Sequence, residues 1–429
     1  MGKFLADIFT SIYQALYTFL THTLHASDPL AVGILQFLGA FIVANFVLLL
    51  LIFNIWFERK VIARMQDRIG PNRVGPWGLL QTVADLGKLL TKEIIVPEGA
   101  DLIPFMVAPI IAVASVILIW AVIPFASTAI GTDLSIGALY FVAAGSLGVM
   151  AILMAGWSSN NKYALLGAFR AVAMLVSYEV PVILTLLVPV LLSGTMRMNE
   201  IVADQRIWYF LAAPVAGLIF WTASVAEVGR TPFDLLEAES EIVAGYHIEY
   251  SGFAFAMFYA AEWAHGFAIC ALMAVLFFGG WRGPGVDQFP TLGVLYFLVK
   301  TFIIYFIQTW TRATLPRLRI DQVMNFCWKF LIPLSLGLLV LMVIVDKLAY
   351  TAFVYFAPIL ERLNIHVDYL STASAAAMSP RVAVLLAVNL IVGAVALLYI
   401  ARQGQVERER IAHRMAVVEP GSLAQQAGK

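Results

Sequence analysis

The chain has 429 residues, 61% of them hydrophobic and only 13% charged, and its mean hydropathy is +0.87. Soluble domains carry roughly 45–50% apolar residues, so this composition excludes one. Its apolar runs are continuous rather than alternating, which excludes a β-barrel and predicts an all-α polytopic membrane protein. Twenty-seven basic and 27 acidic residues cancel, leaving no global field of the kind that attracts nucleic acid.

In chain order, residues 4–24 place Phe4, Ile8, Ile12, Leu16 and Phe19 at helical spacing with Asp7, Gln14 and His22 between them. That pattern predicts an interfacial amphipathic helix rather than a span. No small-residue cleavage site follows it, so no cleaved signal peptide is expected. Runs long enough to cross about 30 Å of hydrocarbon lie near 31–57, 104–124, 139–157, 172–192, 208–228, 253–278, 293–311, 330–346 and 381–401, which predicts nine spans. Segment 350–380 is too polar to cross, and 402–429 reads as a soluble charged tail. Lys and Arg fall in alternate loops: Arg59 to Lys92, then Lys162 and Arg170, then Arg230, then Arg312 to Lys329, and finally Arg402 to Arg414. By the positive-inside rule these loops and the carboxyl terminus face the cytoplasm and the amino terminus faces outward.

Between the fifth and sixth runs lies a stretch rich in carboxylates: Glu227, Asp234, Glu237, Glu239, Glu241 and Glu249, against the single Arg230. A carboxylate near hydrocarbon is costly unless hydrated, paired or protonated. So many together cannot all ionise freely, and groups tuned in this way can pass protons. A solvated acidic loop is the plainer explanation. Glu179, two residues before Pro181, and Glu262 lie inside apolar runs, where an acid faces a polar cavity or a partner. Pro181 frees a backbone carbonyl. Each acid alone could be a structural hydrogen bond, whereas the set, on at least three helices, favours a proton path.

A second constellation runs from Glu58 to Glu93. Two turns, Gly70-Pro71-Asn72 and Gly75-Pro76-Trp77, break the backbone. After them, residues 79–92 set Leu79, Leu80, Val83, Leu86, Leu89 and Leu90 in a stripe with Asp85, Lys88 and Lys92 outside it, which predicts a surface-lying helix. Such a helix beside a span could form the mouth of a lipid-accessible cavity or serve as a simple anchor. Cys270 and Cys327 have no metal-site or iron–sulfur spacing. Of six histidines only His265 lies well inside a run, which argues against a bis-histidine haem. There is no nucleotide-binding fingerprint.

Two stretches, GPNRVGPWGLLQTVADLGKLLTKE and AEVGRTPFDLLEAESEIVAGYHIEY, supported by WSSNNKYALLGAFRAVAMLVSYEVP and RATLPRLRIDQVMNFCWKFLIP, resemble the signature regions of one membrane-subunit family of proton-translocating NADH:quinone oxidoreductase, respiratory complex I. The resemblance covers roughly residues 30–347. It implies a translocase subunit at the junction with the peripheral arm, forming the membrane part of the quinone chamber, and residues 1–29 and 348–429, which exceed the family core, point to a bacterial inner (plasma) membrane. Carried onto matching positions, Glu58, Arg59, Arg64, Asp85 and Phe233 would border the quinone passage. Glu179, Glu227, Arg230, Asp234, Glu237, Glu239, Glu241, Glu249 and Glu262 would form the proton path. Quinone is then the substrate, and no redox cofactor is expected on this chain. FMN and iron–sulfur clusters are expected in partner subunits, the partners being peripheral-arm quinone-site subunits and small membrane-arm subunits.

The expected organisation is a segment 1–29, the core 30–347, a linker and additional span 348–401, and a tail 402–429. Three alternatives remain: a membrane subunit of an energy-converting hydrogenase-type complex, a standalone transporter with a proton relay, and a scaffold. The transporter reading lacks a two-half repeat.

Overall fold

The computed structural model describes residues 8–23, 27–235, 244–362 and 380–426, and these are helical with no strand among them. The helices are α1 Ile8–Thr18, α2 Asp28–Met65, α3 Gln81–Thr91, α4 Leu102–Trp120, α5 Gly137–Ser158, α6 Lys162–Ser193, α7 Met198–Asp204, α8 Tyr209–Ala212, α9 Pro214–Glu227, α10 Gly252–Phe277, α11 Leu292–Thr314, α12 Ile320–Phe326, α13 Ile332–Arg362 and α14 Pro380–Gln426. A π-helical turn, Cys327–Leu331, joins α12 to α13. Among the described residues eight helical segments are long and apolar enough to cross a membrane.

The fifth of the nine expected spans, 208–228, is broken. Ala213 leaves helical geometry (φ −136°, ψ 62°) just before Pro214, which starts α9. Proline favours the first helical turn and disfavours helix in the residue before it, so α8 and α9 are separate helices. The 14-residue α9 is about 21 Å long at 1.5 Å per residue, shorter than the eight spans. Its start lies beside α14, where Asn389 donates to the Ala212 carbonyl, and the loop after it is bonded to the α11–α12 connection through Leu318 N–H and the Pro232 carbonyl.

One bundle end collects the loops after α2, α5, α9 and α11. Ile95 N–H donates to Ser251 Oγ at 2.9 Å, and Asp101 N–H donates to the Ser158 carbonyl. The other end is closed by Lys300, whose Nζ caps the carbonyls of Gly279, Gly280 and Arg282. Helices of this kind satisfy their backbone groups internally, as hydrocarbon requires.

α6 shows how sequence fixes the packing. Asn161 caps its start by accepting from Tyr163 N–H, and Gly194, left-handed at φ 71°, ends it. Pro181 cannot bond the carbonyl of Ser177. That carbonyl accepts instead from the Cys327 thiol at 3.1 Å, while Tyr178 donates to the Val323 carbonyl and Trp328 to Ser177 Oγ. The proline thus turns a helix defect into a lock on α12 and the π turn. At Gly167 a Cβ would lie 2.6 Å from the carbonyl carbon of Gly245, so only glycine lets the returning loop press onto α6.

Two helices run on past the expected spans, although the stretches apolar enough to cross end at Ala352 and Val406. α14 continues as one helix through Gln426, where a soluble tail is expected from residue 402. The apolar run stops near residue 401, but Ala, Arg, Gln, Glu and Met keep helical propensity without it. α13 likewise reaches Arg362, well into the segment expected to be non-spanning. The amino-terminal segment forms α1 and a π-helical turn, Phe19–Thr23, and is not among the helices long enough to cross.

Candidate functional site: a buried row of carboxylates

Glu58 is only 2% exposed, near the loop end of α2. Its carboxylate is held from three sides. Tyr305 donates to Oε2 at 2.8 Å, Arg312 pairs with Oε1, and Arg230 Nη1 lies 3.7 Å from Oε1. Tyr305 and Arg312 lie two turns apart on α11, on a face that also carries Thr301, Gln308 and Thr309, all buried. Arg230 reaches further: its Nη2 is 3.4 Å from Glu262 Oε1 on α10, and its guanidinium lies over the Trp263 ring at 4.5 Å. Planar, forked and weakly hydrated, a guanidinium can serve two carboxylates and a ring at once.

Glu262 also lines a cavity of about 90 Å³ between α4, α5, α6, α9 and α10. Glu179 from α6, Glu227 from the end of α9 and His265 from α10 converge on it, with Ser115 and Ser146 among apolar neighbours. His265 Nε2 is 3.7 Å from Glu227 Oε1. Glu227 Oε2 is buried and has no hydrogen-bond partner among the described residues. A buried oxygen in that position calls for water or a proton, and the cavity can hold several waters. The row therefore runs Glu58, Arg230, Glu262, then the cavity with Glu227, His265 and Glu179.

The other expected residues lie elsewhere. Arg59 donates to Asp85 Oδ2 at 2.6 Å and Gln81 to Asp85 Oδ1 at 3.0 Å, on the exposed side of α2 and α3. Burial pushes the Asp85 carboxyl up, but the hydrogen bonds from Arg59 and Gln81 and the nearby charges leave it below the usual carboxylate range. Arg64 is exposed further along α2. Phe233 is 6% exposed and packs on Tyr178 and Phe326. Asp234 pairs with Arg317 at 3.1 Å, and Glu249 accepts from Asn161 at 2.5 Å. Glu237, Glu239 and Glu241 fall outside the described residues.

Sequence reasoning does not place Tyr305, Arg312 or His265 in the site. Tyr305 and Arg312 are detectable from the polar stripe 301, 305, 308, 309, 312 in an otherwise apolar helix. The helix α3 does lie on the surface: of the stripe, Val83, Leu86 and Leu90, with Leu79 and Leu80 just before the helix, are exposed and Leu89 is half-buried, and Trp77 beside them is 78% exposed. Gly78 permits the tight turn before it: φ is +77°, and a Cβ there would meet the Pro71 carbonyl at 2.3 Å.

Residues 38–343 match the family model described as NADH dehydrogenase. Curated relatives, each named as the H subunit of NADH-quinone oxidoreductase, include one from Dehalococcoides mccartyi (strain CBDB1), 51% identical over 300 residues, covering 70% of this chain and 84% of the relative. One from Brevibacillus brevis is 49% identical over 304 residues (69% and 90%), and one from Geobacillus kaustophilus is 48% identical over 311 residues (72% and 92%). The buried row falls wholly within the matched residues, and the chain belongs to the NADH dehydrogenase family, in the branch formed by the H subunits of NADH-quinone oxidoreductase.

Proposed function

We propose that this chain is the membrane subunit of a NADH:quinone oxidoreductase that forms the membrane part of the quinone chamber and couples quinone reduction to proton translocation. The observation that carries the reading is the row from Glu58 to Glu179, which links the loop end of the bundle to an interior cavity into which Glu179, Glu227, Glu262 and His265 converge. The names of the curated relatives support the assignment to this enzyme over a hydrogenase-type complex.

Quinone reduction takes up two electrons and two protons. The electrons come from NADH through FMN and iron–sulfur groups in partner subunits of the peripheral arm, so this chain's residues handle charge and protons only. Glu58, Arg59, Arg64, Asp85 and Phe233 border the passage, and the exposed apolar face of α3 flanks its entrance. Glu179, Glu227, Glu262 and His265 carry protons inward, and Arg230 sets their electrostatics. Asp234, Glu237, Glu239, Glu241 and Glu249 extend the path at the loop end. A change of charge on the quinone shifts the proton affinity of the row, each pKa unit being worth about 1.4 kcal/mol. The alternating Lys and Arg content supports an orientation with the amino terminus outside and the carboxyl terminus in the cytoplasm, and the bacterial relatives support the inner (plasma) membrane of a bacterium as the location.

The test is Glu227→Gln in membranes, with assembly checked on a native gel. Inhibitor-sensitive NADH:quinone turnover and proton yield should fall together in a fully assembled complex. Full turnover with full proton yield would sink the reading, and proton movement driven without NADH would favour a transporter.

A further inference from the structure

At the bundle end opposite the loops, a cleft of about 330 Å³ opens between the last turns of α6 and the second half of α13. Its walls are Val188, Leu191 and Leu192 on one side and Met342 and Val343 on the other. Val188 and Met342 are buried and close the floor, whereas Leu191 and Val343 are almost half exposed. The mouth therefore opens sideways, where a membrane protein meets acyl chains, at the level where α6 ends.

The rim is polar. Arg381, at the start of α14, clamps Asp346 through Nε–Oδ1 at 2.8 Å and Nη2–Oδ2 at 3.1 Å. That two-point pair neutralises both charges. Lys347 is exposed, next in sequence on the same rim, and has no ion-pair partner among the described residues. Tyr350 completes the rim. Among the described residues the mouth thus carries one uncompensated positive charge, on Lys347, above an apolar slot, with a tyrosine at the boundary where its ring favours the interface. The slot reaches the lower size limit of small-ligand sites.

We propose that this cleft binds one glycerophospholipid, an acyl chain lying between Leu191 and Val343 and the phosphate on the Lys347 ammonium. The match to the family model ends at residue 343, so the walls belong to the matched core while Asp346, Lys347, Tyr350 and Arg381 lie beyond it. The site is an addition made by the carboxyl-terminal extension. It does not depend on the proposed chemistry at the carboxylate row.

The test uses membranes holding the full-length chain and a phosphatidylglycerol with a photoactivatable group in its acyl chain, the labelled peptides being mapped by mass spectrometry. Labelling should concentrate on the peptides around 188–192 and 342–350, and unlabelled phosphatidylglycerol should compete while diacylglycerol, which lacks the phosphate, should not. Lys347→Gln should lower labelling about fivefold, the share one lysine supplies at a lipid surface. Leu191→Trp, which fills the slot, should abolish it, with native gels confirming that both variants assemble. Even labelling of all lipid-facing helices, equal competition by diacylglycerol, or insensitivity to both substitutions would overturn the proposal. So would cleft peptides that stay unlabelled because another polypeptide covers them.

Discussion

The two halves of the buried row differ in how their charges balance. Near the loops, Glu58 and Glu262 face Arg230 and Arg312, two acids against two permanent cations. Among the described residues that line the cavity, His265 is the one basic neighbour of Glu179 and Glu227. Arginine does not lose its proton in proteins, so the first half is a fixed electrostatic frame. Histidine and carboxylates can exchange protons, so the second half is where occupancy can change. A proton path needs both: a frame that holds its charge and a store that does not.

Removing the frame should have the largest effect. Arg230→Met leaves Glu58 with Tyr305 and a single cation, Arg312, and takes from Glu262 the guanidinium beside it, in surroundings nearly sealed from water. Breaking a buried pair in this way costs roughly 3–5 kcal/mol. The expected outcome is a sharp loss of assembled complex on native gels and a lowered melting midpoint. Arg230→Lys should recover only part of it, because an ammonium cannot fork between two carboxylates while lying flat on Trp263. Full recovery by lysine would show that charge alone matters and that the fork is irrelevant.

The histidines sharpen the contrast. His265 sits beside a carboxylate, whereas His247, in the loop after α9, is 8% exposed among Tyr246, Phe255 and Tyr259. Burial pushes the His247 imidazole down to about 4. Its folded state therefore prefers the neutral ring, while the unfolded chain takes up a proton near pH 6.5. Above that pH the group costs nothing. As pH falls from 6.5 to 4 the unfolded state is favoured progressively, by about 3 kcal/mol at the limit. The melting midpoint of the detergent-purified chain should fall over that window, and His247→Gln should flatten the fall. An unchanged slope in the variant would assign the pH dependence to the carboxylate row instead.

These contrasts are only partly legible in the sequence. The spans are, because each needs about twenty apolar residues in a row whatever it packs against. Glu179, Glu227 and Glu262 are also visible, as acids where acids are costly. Their grouping is not: Glu58 and Arg312 are 254 positions apart, and only packing of α2 against α11 brings them together. The break at Ala213 is hidden because hydropathy averages over a window that a single extended residue does not disturb. Helix α14 past residue 401 escapes detection for the opposite reason, since hydropathy reads burial in lipid and not helicity. Pro181 is legible as a defect, but its partner, the Cys327 thiol, can be identified only in three dimensions.

The smallest effect should come from the exposed counterpart of the frame. Arg59 and Asp85 make a close bond at 2.6 Å, shorter than the 3.7 and 3.4 Å from Arg230 to Glu58 and Glu262, yet their side chains are 44% and 29% exposed. Water already screens both charges, and pairs of this kind contribute about 0–1 kcal/mol. Arg59→Ala should therefore shift the melting midpoint by a degree or two at most, and the shift should vanish as salt is raised and the Debye length falls below about 10 Å. The Asp85 carboxyl lies below its ordinary range, so its contribution is fully present above about pH 4 and disappears only as pH falls through the lowered value. If Arg59→Ala instead lowers quinone turnover strongly while the midpoint stays put, the pair acts on the substrate passage rather than on the fold. A midpoint drop as large as that of Arg230→Met would mean that contact length, and not burial, sets the strength of these pairs.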